Sequence, residues 1–238
     1  MKLVIIKYNA GNIQSVLYAL ERIGMEAVVT DDHAQIRAAD KVIFPGVGEA
    51  STAMNYLKER GLDTVIKNLK QPVLGICLGM QLMCAYSEEN NTQCLGIFDE
   101  QVKWFQSLKS DQSSAKSSPQ STKSALPSTK SYPQSAKSAL PSENSYPQSA
   151  KSAIKVPQIG WNNIYNLKTD LFKEVPENSY CYFVHGYYAA LGEHTIATTD
   201  YIQPYSSGLH KNNFYGVQFH PEKSAAVGEQ ILKNFIKL

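Results

Sequence analysis

The chain of 238 residues is 43% hydrophobic and 18% charged, enough apolar material for one good core or two small ones. Its formal charge is +2, yet residues 109–153 hold six Lys against only Asp111 and Glu143, a net +4 that leaves the remaining sequence at −2. A near-neutral remainder offers no clustered charge for nucleic-acid phosphates or an anionic membrane, and no apolar run approaches the roughly 20 residues of a membrane helix.

The N-terminus, Met1 to Tyr8, has one early Lys and then passes directly into a strand-like run with no small-residue cleavage site, which predicts a cytoplasmic location. Leu3-Val4-Ile5-Ile6 is unbroken and apolar, as expected of a strand buried on both faces. The turn Tyr8-Asn9-Ala10-Gly11-Asn12 follows, then Ile13, Val16, Leu17, Leu20 and Ile23 at helical spacing, stopped by Gly24. A second strand, Ala27-Val28-Val29, leads through a polar helix to Val42-Ile43-Phe44, closed by Pro45-Gly46. A helical stretch runs from Ala50 to Leu69 with a break near Gly61, and Pro72 to Ile76 forms the fourth strand. Strand and helix in alternation predict an α/β fold: a doubly wound, largely parallel central sheet with helices on both faces.

Between Gln106 and Ile154 the composition turns to Ser, Ala, Lys, Pro and Gln, and the text repeats every fourteen residues, from Ser117, Ser131 and Ser145. Each copy has at most one Leu and most have two prolines, so stacked copies would bury almost nothing and a continuous helix is forbidden. The stretch 107–154 reads as a disordered low-complexity insertion into a single domain spanning 1–238. Beyond it strands follow in succession, with a hairpin turn at Lys211-Asn212-Asn213, before an amphipathic helix from Ala225 to Lys237. The second half therefore adds antiparallel strands to the core.

Three stretches at strand ends carry chemistry. Gly75-Ile76-Cys77-Leu78-Gly79 stands where a strand meets a helix, and small residues two before and two after Cys77 allow the sharp turn that lifts a nucleophile clear of a sheet. The helix starting at Leu78 places its positive end by the sulfur, favouring thiolate. A cysteine nucleophile needs a base whose tautomer is held, and Phe219-His220-Pro221-Glu222 supplies His220 as the base and Glu222 to orient it. Pro45-Gly46-Val47-Gly48-Glu49 would bring backbone N–H groups near a substrate, so the amides of Val47, Gly48 and Leu78 form a candidate oxyanion hole. Taken singly, each has a plainer reading: a packed cysteine, a loop histidine, a common turn. It is their joint occurrence that points to a site. Cys84, Cys94 and Cys181 read as packing residues, and His33, His185, His194 and His210 lack a partner in sequence. No CxxC pair or zinc-spaced Cys/His cluster occurs, and no metal or cofactor is implied.

The stretches GICLGMQL from Gly75, PGVGE from Pro45 and FHPE from Phe219 resemble those of class I, triad-type, glutamine amidotransferases. More narrowly, Tyr8 to Asn12, Val156 to Asn162, Tyr182 to His185 and His220 to Ser224 are similar to the glutaminase subunits of imidazole glycerol phosphate synthases. The resemblance implies Cys77 as nucleophile, His220 as general base and acid, Glu222 as its orienting partner, and Gly48, Gln81 and Glu89 as residues that hold L-glutamine. It implies hydrolysis of glutamine to glutamate and ammonia through a Cys77 thioester, with ammonia delivered to a (β/α)8 cyclase subunit in a heterodimer serving histidine biosynthesis. Asn12, Trp161, Tyr182 and Lys223 are the residues it places at the cyclase interface. Lys7 departs from it, standing where many relatives carry an acidic residue. Alternatives are a glutaminase subunit of another synthase, a non-catalytic scaffold that regulates the cyclase, and a free-standing cysteine peptidase or γ-glutamyl hydrolase. The Val47–Gly48 peptide is expected to turn its N–H toward the substrate only when the partner is loaded, since uncoupled ammonia production wastes glutamine.

Overall fold

The computed structural model describes residues 1–8, 12–106 and 154–238; the repeat insertion and the centre of the Tyr8–Asn12 turn lie outside the described residues. Strand β1 (Leu3–Ile6) is buried throughout. Leu3 and Ile5 enter one hydrophobic cluster, Val4 and Ile6 another, so both faces are covered and the run is apolar without alternation. Helix α1 (Ile13–Arg22) buries Val16, Ala19 and Leu20, and ends before Gly24, whose φ of +74° is readily adopted by glycine. After β2 (Ala27–Thr30), Asp32 caps α2 (His33–Arg37) by accepting the Gln35 N–H at 2.7 Å. Strand β3 (Lys41–Phe44) leads to α3 (Ala50–Glu59) and α4 (Leu62–Lys67), separated at Gly61, and then β4 (Val73–Ile76) runs into α5 (Leu78–Met83).

Short strands β5 (Tyr86–Ser87) and β6 (Thr92–Gln93) precede β7 (Gln101–Trp104). On the far side of the undescribed stretch come β8 (Gln158–Ile164), β9 (Ser179–His185), β10 (Tyr187–Ala189), β11 (Thr195–Tyr201), β12 (Gln203–Lys211), β13 (Phe214–Val217) and α6 (Ala225–Lys237). Among the described residues the main sheet has the order β2-β1-β3-β4-β13-β12-β10-β7-β5-β6, with β11 on β12, while β8 and β9 make a separate antiparallel ribbon.

Strands β2, β1, β3, β4 and β13 are all parallel, and α1 and α6 pack into one cluster while α2 to α5 pack into the other. This is the doubly wound arrangement expected from the alternation. Antiparallel strands do enlarge the second half, but β13 differs: the β12–β13 hairpin, turning at Asn212 with φ 57°, returns the chain beside β4 and parallel to it. Two consequences position the site. Strands β3, β4 and β13 are immediate neighbours, with Phe44 opposite Gly75 and Ile76 opposite Val217, so the chain leaves all three at one sheet edge. Helix α6 lies directly on the turn after β13, because Gly228 sits so close to Pro221 that a Cβ there would overlap its carbonyl oxygen.

Candidate active site

At the end of β4 the chain turns sharply at Cys77, whose φ of 53° and ψ of −110° depart from both strand and helix. Such a conformation in a non-glycine residue is strained and persists only where the surroundings impose it. Here they do: the Cys77 N–H donates to the Val217 carbonyl at 2.8 Å, and α5 closes in because residue 79 is glycine. A Cβ on Gly79 would overlap the Phe44 carbonyl oxygen, so any other residue would push α5 off the end of β3. The turn holds the Cys77 sulfur next to His220, near enough for the sulfur to raise the imidazole pKa.

His220 is 1% exposed, its backbone N–H donating to the Tyr182 carbonyl at 2.9 Å. Its Nδ1 lies 2.7 Å from Glu222 Oε1. A carboxylate only accepts, so Nδ1 carries the proton and Nε2 is left as the basic nitrogen. Nε2 has no hydrogen bond of full geometry among the described residues, which leaves it for the thiol proton or the substrate. Burial opposes the imidazolium, but the Cys77 sulfur and the Glu222 carboxylate outweigh it and raise the pKa to about 10. Pro221 and Glu222 begin a short 3-10 turn, and this tight geometry lets residue 222 reach back to residue 220. The Asn12 side chain also donates to Glu222 Oε1, from a residue in the left-handed region at φ 75°.

A pocket of about 480 Å³ opens over Cys77, lined by Val47, Gly48, Leu78, Gln81, Glu89 and the Trp104–Tyr187 aromatic wall. Those two rings meet edge to face, centroids 4.8 Å apart. Gln81 is buried, and its amide nitrogen donates to the Tyr187 carbonyl at 2.8 Å and to Gln218 Oε1 at 2.9 Å. Glu89 Oε2 accepts the Ala50 N–H at 2.7 Å, and partial burial raises its pKa. Gly48 has φ +107° and is exposed, whereas the Leu78 N–H already donates to the Gly46 carbonyl at 3.3 Å. All the residues expected in the triad, oxyanion hole and glutamine pocket therefore gather at one sheet edge. Two residues given no role from the sequence join them: Tyr8, whose hydroxyl donates to the Pro45 carbonyl at 2.6 Å, and Gln218, whose amide reaches the Cys77 sulfur at 3.6 Å.

The residues expected to meet a partner divide. Trp161 is 53% exposed on the outer face of the β8–β9 ribbon, its ring 6.0 Å from Tyr182 and edge on, and Lys223 Nζ lies 5.9 Å from the centre of the Tyr182 ring. Asn12 is instead turned onto Glu222. The remaining cysteines are buried thiols, with burial pushing Cys94 and Cys181 up to about 12 and Cys84 well above its ordinary value. No helix among the described residues is long and apolar enough to cross a membrane.

His185, beneath the pocket, is held neutral: burial drops its pKa to about 3 despite its Nδ1 donating to the Tyr187 carbonyl at 2.7 Å. Relative to an unfolded value near 6.5, its contribution to stability is intact above that pH and is lost as pH falls toward about 3. His220 has the opposite sign: its contribution is complete below about 6.5 and is lost as pH rises through about 10. Denaturant midpoints measured from pH 4 to pH 10 are expected to fall at both ends. His185→Gln should flatten the acid limb relative to wild type, and an unchanged acid limb would remove His185 as its source.

Comparison with known proteins agrees with this architecture. Residues 4–238 match the family model "Glutamine amidotransferase class-I". The chain is 51% identical to imidazole glycerol phosphate synthase subunit HisH of Bacteroides fragilis and 47% identical to that of Bacteroides thetaiotaomicron, each over 238 residues and covering 100% of both chains. PurLQS from Thermotoga maritima shares the fold with a TM-score of 0.60 at 13% identity, covering 99% of this chain and 97% of that one. A buried thiol, imidazole and carboxylate at adjoining ends of a doubly wound sheet, and a match extending to the last residue, place the chain in the class I glutamine amidotransferase family.

Proposed function

We propose that this protein is the glutaminase subunit of an imidazole glycerol phosphate synthase, supplying ammonia to a cyclase subunit in histidine biosynthesis. The observation that carries the catalytic part is the adjacency of Cys77, His220 and Glu222 beneath a pocket of amino-acid size. His220 Nε2, made more basic by the Cys77 sulfur and the Glu222 carboxylate, takes the Cys77 proton ahead of attack; the sulfur then attacks the side-chain amide carbon of glutamine and the carbonyl electrons move onto oxygen. The Val47, Gly48 and Leu78 amides receive that oxyanion. Collapse of the tetrahedral intermediate breaks the C–N bond, His220 protonates the departing nitrogen, and a glutamyl thioester remains on Cys77. Water, deprotonated by the same imidazole, hydrolyses it to glutamate and restores the thiol. Glu222 holds the Nδ1–H tautomer throughout. Gln81 and Glu89 line the pocket where the amino-acid end of glutamine would lie, Glu89 offering a negative charge to its ammonium.

The partner is the cyclase, and its docking face is the exposed ribbon: Ile159, Trp161, Tyr180 and Val184 are all outward, with Tyr182 and Lys223 beside them. A cytoplasmic setting suits such a biosynthetic pair. Trp161→Ala is expected to weaken cyclase binding by about 2 kcal/mol or more while leaving the melting temperature in place, since the ring is exposed in the free chain. Titration calorimetry against the cyclase measures it, and wild-type affinity in the variant would move the interface elsewhere. The reading as a whole is tested by glutamate release from the purified chain, alone and with the cyclase and its nucleotide ligand. Strong stimulation by the loaded partner is expected; vigorous turnover indifferent to it would mean a free-standing hydrolase or another synthase's subunit.

A further inference from the structure

Tyr8 follows β1, is 4% exposed, and packs its ring on Phe44 with centroids 5.3 Å apart. Its hydroxyl donates to the Pro45 carbonyl at 2.6 Å, and Gly46 packs so tightly beneath it that a Cβ there would overlap that hydroxyl. The next carbonyl along, that of Gly46, accepts the Leu78 N–H at 3.3 Å. Two consecutive carbonyls of the loop are thus tied, one by a short bond to a rigid buried ring and the other by a long bond to an amide of the candidate oxyanion hole. We propose that Tyr8 is a positioning residue: it latches the Pro45–Gly48 loop in the arrangement that keeps the Leu78 amide occupied, and releasing it frees that amide for the substrate oxyanion.

The inference rests on the amidotransferase reading of the site. While Tyr8 fixes the Pro45 carbonyl, any rotation that withdraws the Gly46 carbonyl from Leu78 must be absorbed within the single peptide between Gly46 and Val47, with the preceding peptide held. Once the hydroxyl is removed, the rotation is shared by two peptides. The ring contact with Phe44 is independent of the hydroxyl, so the latch and the packing are separable in one substitution. Burial and the neighbouring Cys77 push the Tyr8 hydroxyl well above its ordinary pKa, so it stays a donor at every working pH. The same short segment also grips the other half of the site, since Asn12 donates to Glu222.

Tyr8→Phe keeps the ring and removes the donor. Partner-free glutamine hydrolysis by this variant is expected to rise about threefold to tenfold in kcat with KM unchanged, the range set by the net worth of one hydrogen bond acting on the fraction of open loops. Stimulation by the loaded cyclase should shrink by the same factor. A ring-fluorinated tyrosine placed at position 8, a stronger donor of the same shape, should lower partner-free kcat, and it keeps the test alive if the Phe variant folds poorly. Unchanged or lower partner-free kcat in Tyr8→Phe, or no decrease with the fluorinated residue, overturns the latch. Wild-type chain with loaded cyclase runs alongside: if it releases no glutamate from glutamine, the amidotransferase reading fails instead.

Discussion

Cys77→Ala is expected to abolish glutamine-dependent synthesis by the assembled subunits, a loss of roughly 10⁴ to 10⁶-fold, while synthesis from added ammonium salts continues. Among the described residues Cys77 is the thiol that acts on the His220 imidazole; Cys84, Cys94 and Cys181 are buried and held protonated by their surroundings. Alanine retains the Cβ that the turn at φ 53° already accommodates, so the docking face and the ammonia-dependent half-reaction should survive. Glutamate release and ammonium-driven product formation, measured on the same complex, separate the two functions. Persistent glutamine hydrolysis would mean a different nucleophile. Loss of both half-reactions would mean that the turn itself had collapsed.

The second large effect is expected well away from the sulfur. Gly228 belongs to the first turns of α6, where a Cβ would overlap the Pro221 carbonyl oxygen and lie 2.7 Å from its carbon. Helix α6 cannot retreat cheaply, because Ile231, Leu232 and Phe235 are fully buried and each is worth about 1.5–3 kcal/mol of apolar burial. The 3-10 turn must then give way, and it carries Glu222. Gly228→Ala is therefore expected to destabilise the chain by about 1–3 kcal/mol. It should also cut kcat on the order of 100-fold by shifting the carboxylate from His220 Nδ1. Denaturant unfolding and glutamate release read the two losses. A variant with normal stability and kcat would mean that the turn absorbs the methyl group without moving Glu222.

Much of this is legible in the sequence, and for a specific reason. Leu3–Ile6, Val42–Phe44 and Val73–Ile76 are covered on both faces, so they appear in the text as unbroken apolar runs between turn residues. The helix Ala225–Lys237 buries one face only and shows it in its spacing. Strands β5 and β6, two residues each, are too short to leave a pattern. The β8–β9 ribbon misleads in the opposite sense, since its Ile159, Trp161 and Tyr180 are apolar yet exposed. In the site, Cys77, His220 and Glu222 could be read because their stretches end strands and hold the small or rigid residues such turns demand. Tyr8 and Gln218 could not. Tyr8 acts through a hydroxyl on a carbonyl 37 positions away, and Gln218 through an amide on Gln81 and Cys77 across the sheet edge. The contact of Asn12 with Glu222 spans 210 positions and leaves no trace in the local pattern.

The β8–β9 ribbon is stapled to His220 by its own backbone. His220 N–H binds the Tyr182 carbonyl at 2.9 Å, Tyr182 N–H binds Ser224 Oγ at 3.0 Å, and that hydroxyl returns to the His220 carbonyl at 2.6 Å. Such a closed ring of bonds makes the ribbon and the His220 backbone one cooperative unit, so that opening one loosens the other. Warming should therefore inactivate the protein when the ribbon frays, ahead of the parallel core, and the exchange rate of the Tyr182 amide becomes a thermometer for catalytic competence.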